Sequence, residues 1–266
     1  MEGFSSQLLC RVLSVKPIWE LAARAVIQIS EDIVVKVGRH QDHDEHAILR
    51  FVEEHCPAVP APRALGLVTV ASTSFLFMTL VAGDTLEKRW PMLSGDEKMH
   101  IRHTLDAALL TIHALECPCD APLGSPAGQR LCKDVRRHER VSAISIYSEA
   151  QFNDLLLESP SSRPAPGFKR WLRSMLQDDH RIVFTHGDFH PRNIMVVDRP
   201  DGSIELSGIL DWECSGFYPE YWEQLKALNT RSTKDTDDWW DHLPPSILGY
   251  DHEVVLDRLI ESAVVY

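Results

Sequence analysis

Residues 184–193 read FTHGDFHPRN, and residues 208–213, one hairpin later, read GILDWE. Two histidines, an aspartate, an arginine and an asparagine are crowded into ten positions between the apolar runs IVF and IMVV. A loop held between buried strands is a rigid mount for polar groups, so any fold for this chain must present this loop at a site. His186 and His190 have the i, i+4 spacing of metal ligands on a helix. Gly187 and Pro191 break such a helix, however, and no second His cluster supplies the remaining ligands of a zinc hydrolase built on His186, Asp188 and His190. The other reading uses oxygen only. Asp188 orients and deprotonates a hydroxyl, while the Asn193 amide oxygen and the Asp211 carboxylate hold Mg²⁺, a hard cation that prefers oxygen. These are the parts of phosphoryl transfer, which depends on positioning and charge neutralisation.

The pattern around the loop changes once along the chain. AVIQI (25–29) and IVVKV (33–37) are β-branched runs separated by a polar turn. DHDEHAILRFVEEHC places Ala47, Ile48, Phe51 and Val52 on one helical face, and PAVPAP (57–62) stops it. ALGLVTV and SFLFMTLV read as two further strands. Beyond Gly83 the pattern becomes helical, beginning with a capping box at Ser94 and Glu97. The helix that follows has an apolar face running from Ile101 to Leu115, with His113 packed beside it. The segments 118–134 and 159–167 are rich in Pro, Gly and Ser and read as loops, with helices in EAQFNDLLLE and GFKRWLRSMLQ. The expected class is therefore α+β, with a β-rich small lobe over residues 1–82 and a mainly helical lobe over residues 83–266.

Composition narrows the partners. A net charge of −12 opposes a nucleic-acid backbone, which needs basic stripes. No apolar run approaches a membrane span, and MEGFSSQLLCRVLSVKP does not read as a signal peptide. The six cysteines are scattered through the chain, as in a reducing compartment. The expectation is a cytoplasmic protein with a small-molecule partner and no nucleic-acid or membrane partner.

HGDFHPRN resembles the H-x-D-x-x-x-x-N catalytic loop of the aminoglycoside phosphotransferase and choline kinase family, relatives of the protein kinases. GILDWE resembles the family's metal-binding segment. VVKVG, EHAILRFV, VPAPRALG, FLFMTLVAGDTL and GFYPEYWE follow in the family's order, so the resemblance covers roughly residues 25–225. It implies a two-lobed protein-kinase-like fold with ATP and Mg²⁺ as cofactors. Asp188 would be the catalytic base, and Asn193 and Asp211 the metal ligands. Lys36 would contact the α- and β-phosphates and be fixed by Glu45. Thr79, Leu80 and Val81 would face adenine with Met78 behind it, and His186 would hold the loop.

The implied activity is transfer of the ATP γ-phosphate to a hydroxyl of a small metabolite or antibiotic. The chain departs from the family at one place: kinases cover the phosphates with a glycine-rich loop, and no glycine lies between Gly3 and Gly38. The alternative is a pseudokinase-type module that binds a ligand without transfer. For the acceptor, Trp212, Glu213, Tyr218, Glu220, Tyr221, Trp222 and Glu223 form an aromatic–acidic cluster that suits an amine if it faces the cleft and is core packing if it does not. The run DTDDWW raises the same question.

Overall fold

A computed structural model describes residues 12, 14–39, 44–127, 130–135, 139–158, 164–232 and 234–264; Cys10 lies outside them. The small lobe is an antiparallel sheet with one helix against it. Its strands are β1 (Trp19–Leu21), β2 (Arg24–Gln28), β3 (Ile33–Arg39), β4 (Ala64–Val70) and β5 (Thr73–Thr79), in the order β1-β2-β3-β5-β4. Side chains alternate across a strand, and both faces of β3 are buried. Val35 and Val37 pack with Val12, Ile27 and Phe75. Val34 packs on the other face against Ile48, Leu49 and Val52 of helix α1 (Asp44–His55). Lys36 shares the parity of Val34 and lies on the α1 side.

Gly83, which follows the small-lobe sheet, has φ +112°. A Cβ there would stand 2.1 Å from the Val196 carbonyl oxygen, so only glycine fits this approach. Next come β6 (Asp84–Thr85), α2 (Leu86–Arg89) and the long helix α3 (Gly95–His113). Both arms of the capping box at Ser94 and Glu97 are formed. A small hairpin, β7 (Lys133–Val135) and β8 (Glu139–Val141), precedes α4 (Glu149–Leu156) and α5 (Pro166–Arg173). The strands β9 (Ile182–Thr185), β10 (Ile194–Asp198), β11 (Ile204–Ile209) and β12 (Gly216–Pro219) lead to α6 (Trp222–Leu228) and α7 (Asp251–Val264). The fold is the two-lobed, α+β, protein-kinase-like one. No helix among the described residues is long and apolar enough to cross a membrane.

Local pattern did not determine which strands pair. The β10–β11 hairpin pairs with β6, whereas β9, its neighbour in sequence, pairs with β12. The catalytic-loop segment therefore leaves one two-stranded ribbon and enters a three-stranded sheet. One apolar cluster joins the lobes: α1, β3 and β5 contribute to the same core as α3, β9 and β10. Phe51 of α1 stacks 5.1 Å from Phe184 and 6.0 Å from Phe217, centroid to centroid.

Three aromatics considered for substrate contact belong to this interior. Trp212, Tyr218 and Trp222 are fully buried. The Trp212 indole donates to the Ile209 carbonyl at 2.7 Å, and the Tyr218 hydroxyl accepts from the Lys133 N–H at 2.8 Å. Trp222 packs edge-on to Phe152 at 5.0 Å. Large rings gain most by leaving water, and each polar tip has a partner, so none of the three lines the cleft. Glu220 pairs with Arg181 at 2.9 Å, where Arg181 is mostly exposed, and likewise lies outside the site. Cys56, Cys117, Cys119, Cys132 and Cys214 are free thiols.

Helix α6 carries charge into the core. Lys226 and Asp134 pair at 2.9 Å with both side chains buried, and the ammonium stands 4.8 Å over the Trp222 ring. Removing one partner of such a pair leaves an uncompensated buried charge. Lys226→Ala is expected to cost about 3–5 kcal/mol, read as a lower urea midpoint with an unchanged slope.

Candidate active site

The parity of β3 and the first turn of α1 bring a base and an acid together. Lys36 Nζ donates to Glu45 Oε2 at 2.8 Å, and both groups are buried. From the large lobe, Asp211 Oδ1 lies 2.6 Å and Glu213 Oε2 3.1 Å from the same ammonium. Burial opposes the Lys36 charge, but Glu45, then Asp211 and Glu213, outweigh it and hold its pKa well above the ordinary value. Burial likewise opposes ionisation of Asp211; the Lys36 charge and hydrogen bond overcome this and hold that carboxyl low. Asp211 has φ +65° and ψ +60°. A non-glycine residue in that left-handed region costs about 1–2 kcal/mol, a strain of the kind kept where a side chain must be aimed. Lys133 of β7 also reaches Asp44 at 3.1 Å, so the large lobe grips α1 one residue before Glu45.

The loop 186–193 is shaped from behind. Glu223 of α6, fully buried, accepts the backbone N–H of His186 at 2.6 Å and of Gly187 at 3.0 Å. Burial pushes against its charge, but His113, 3.5 Å away, and His186 hold its carboxyl below the usual range. Gly187 has φ +79°, and a Cβ there would sit 2.5 Å from the Cys214 carbonyl oxygen. His186 Nε2 donates to the Leu210 carbonyl at 2.9 Å, and its Nδ1 accepts from Asp188 N–H at 3.2 Å. Asn193 N–H donates to the His190 carbonyl at 2.9 Å, while the Asn193 carbonyl accepts from Leu210 N–H at 2.7 Å. These bonds tie the 186–193 loop to the segment that carries Asp211.

Asp188 stands at the mouth of this construction. Asn193 Nδ2 donates to its Oδ2 at 2.8 Å and to its carbonyl at 2.9 Å. Arg192 donates to its Oδ1 at 2.9 Å. With its amide nitrogen committed to Asp188, Asn193 has Oδ1 as its remaining polar side-chain atom. Among the described residues, the one group of acidic, His or Cys side chains close enough to share a metal is Glu45, Asp211 and Glu213. The zinc arrangement on His186, Asp188 and His190 is not formed, because both His186 ring nitrogens are committed, one to the Leu210 carbonyl and one to the Asp188 N–H. His190 Nε2 donates to Asn229 Oδ1 at 3.0 Å.

The profile of the phosphotransferase enzyme family, whose members include the aminoglycoside phosphotransferases, matches residues 14–243. The chain belongs to that family. Membership makes it a phosphotransferase. Its fold is similar to that of APH(2")-IIa in complex with streptomycin and ATP, with a TM-score of 0.60, 18% identity, and coverage of 98% of this chain and 86% of that one. The type VIII aminoglycoside-3'-phosphotransferase gives a TM-score of 0.60 at 15% identity, covering 98% of both chains. APH(4)-Ia with AMP-PNP and hygromycin B gives 0.54 at 16%, covering 85% of this chain and 75% of that one. No curated protein matches the sequence. The alternative of a module that binds without transfer finds no support in these likenesses.

Of the residues expected to face adenine in this phosphotransferase, two have their backbone N–H groups committed within the protein. Thr79 and Leu80 commit their N–H groups to the carbonyls of Arg63 at 3.0 Å and Asp32 at 2.7 Å. Neither of these N–H groups is therefore open to a ligand. Met78 is buried behind them. Val81 packs on Gly208 of β11, where a Cβ would meet the valine at 2.7 Å.

Glu213, considered as an acceptor contact, belongs to the Lys36 cluster. Two roles carry no local signature: Glu223 as the loop's template, and Arg24, whose Nη1 lies 2.6 Å from Glu213 Oε1 across the cleft. Neither residue sits in a polar run, and each acts through a partner remote in sequence.

His190 titrates unusually. Burial, then the Arg192 charge, lowers its pKa from 6.5 to about 4 against the opposing pull of Asp188. Between those values the unfolded chain holds a proton that the folded chain does not. Stability therefore falls as pH drops from 6.5 towards 4 and levels off below. His190→Gln is expected to flatten this acid limb, read from urea midpoints across the same window.

Proposed function

We propose that the chain transfers the γ-phosphate of ATP to a hydroxyl of a small, amine-bearing molecule held beside the catalytic loop. The observation that carries this reading is a cavity of about 330 Å³ formed in part by His190, Pro191 and Arg192. Asp188 is not itself in the lining, but Arg192, which is, donates to the Asp188 carboxylate at 2.9 Å. Across from the loop lie Glu87, Asp235, Asp237 and Trp240, and the Trp240 indole donates to Asp235 at 3.1 Å, which orients the ring. Carboxylates beside an aromatic face suit an ammonium group through Coulomb and cation–π attraction. The volume suits a small ligand. The DTDDWW run thus supplies the chemistry that Trp212, Tyr218 and Trp222 cannot.

Asp188 aligns the acceptor hydroxyl and takes its proton, with Arg192 and Asn193 orienting the carboxylate. Lys36, fixed by Glu45, meets the α- and β-phosphates. The oxygens of Asn193 and Asp211 fit a hard cation, and Mg²⁺ held there would neutralise phosphate charge. The Thr79 carbonyl and Val81 N–H read the adenine edge, with Met78 behind. The lobes divide near residue 82, so the nucleotide lies between them and the acceptor on the large-lobe side.

ADP release against amino sugars, choline-like alcohols and uncharged polyols tests the reading. Turnover is expected only with cationic acceptors; turnover confined to uncharged polyols would reject the amine preference. Asp188→Asn should lower kcat by about 10²–10⁴-fold while nucleotide still binds. Asp235→Asn combined with Asp237→Asn should raise the acceptor KM and leave the KM for ATP unchanged. Full turnover in the Asp188 variant would remove the proposed base.

A further inference from the structure

A kinase site must cover the phosphates of its nucleotide, and a glycine-rich turn between the first two strands is the usual cover. Here that turn is Ala22–Ala23, two residues joining Leu21 to Arg24. Ala22 holds φ +51°, and its methyl group limits how closely the backbone can approach a ligand. So short a turn presents few N–H groups, and the charge of the phosphates has to be met by another donor.

The next residue is cationic and placed for the task. Arg24 opens β2, and its guanidinium reaches over the cleft to Glu213 Oε1 at 2.6 Å, with the arginine side chain 41% exposed. The other oxygen of Glu213 faces Lys36 at 3.1 Å. One carboxylate thus holds both the buried cation of β3 and the exposed cation of the hairpin. When Arg24 leaves, Glu213 remains paired with Lys36, so the exchange strands no buried charge.

We propose that Arg24 is the phosphate-covering group of this enzyme. Glu213 holds its guanidinium in the resting site, and nucleotide binding exchanges that carboxylate for the oxygens of the phosphate chain. The planar fork of a guanidinium matches phosphate as well as it matches carboxylate. Its exposure means that the swing requires little repacking, and both end states are charge-assisted. The inference rests on the nucleotide reading above.

Calorimetric titration with Mg·AMP-PNP and with adenosine separates the two. Arg24→Ala should weaken AMP-PNP by about 10-fold, since the phosphate bond lost is offset in part by the Glu213 bond that the wild type gives up on binding. Adenosine affinity and the thermal midpoint should be unchanged, and the KM for ATP should rise more than kcat falls. Arg24→Lys should recover part of the loss, since it restores charge without the fork. Equal AMP-PNP affinity in wild type and Arg24→Ala would overturn the proposal, as would parallel loss of AMP-PNP and adenosine with a lowered midpoint. Wild-type protein that binds neither probe removes the nucleotide reading, and this inference with it.

Discussion

The ammonium of Lys36 is the point on which the two lobes agree. A buried charge carries a desolvation penalty of several kcal/mol unless its partners are well placed. Here they come from three places: Glu45 from the first turn of α1, and Asp211 and Glu213 from the segment after β11. Three carboxylates meet the two cations Lys36 and Arg24, and burial raises the Glu45 pKa to about 7 against the pull of Lys36, so the cluster is close to charge balance. The apolar contacts between the lobes fix their separation, while the cluster fixes which side chains face each other.

A second set of buried charges stands behind the catalytic loop. Helix α6 is only seven residues long and buried throughout, yet it contains Glu223, Gln224 and Lys226. Glu223 accepts two consecutive backbone N–H groups of the loop, Lys226 meets Asp134, and Gln224 donates to Asp251 at 3.0 Å. A loop shaped by strand pairing alone would have its polar groups set by register. A loop shaped by a fixed carboxylate has its N–H directions set by that anion, which explains why Gly187 adopts a conformation that other residues resist. The site is rigid at its base and polar at its rim, and the rim holds Asp188, Arg192 and Arg24.

The elements easiest to read from the sequence are those whose stabilising contacts are local. Alternating β-branched runs in β2 and β3, the capping box at Ser94, and the Pro-rich stop after α1 each act over a few residues. Pairing of β9 with β12 could not be read in that way. GFYP is short and carries a proline, and its partner lies about thirty residues upstream in register. The aromatic residues teach the same point. Trp212, Tyr218 and Trp222 have the composition of a ligand cage as much as of a core, and ring chemistry alone does not distinguish the two. Burial decided it: all three are core residues.

The sequence by itself determined the inventory: an α+β chain with a loop carrying Asp188 and Asn193, a strand lysine at Lys36, and a carboxylate at Asp211. Spacing conveys that much because Asp188 and Asn193 are only five residues apart and bond to each other directly. Tertiary structure decided the assembly: which carboxylates reach Lys36, that Glu223 shapes the loop, that Leu80 is committed to Asp32, and that Arg24 bridges to Glu213. Those contacts join residues up to 189 positions apart. Charge pairing between such remote groups depends on where packing places them, and no local pattern encodes that distance.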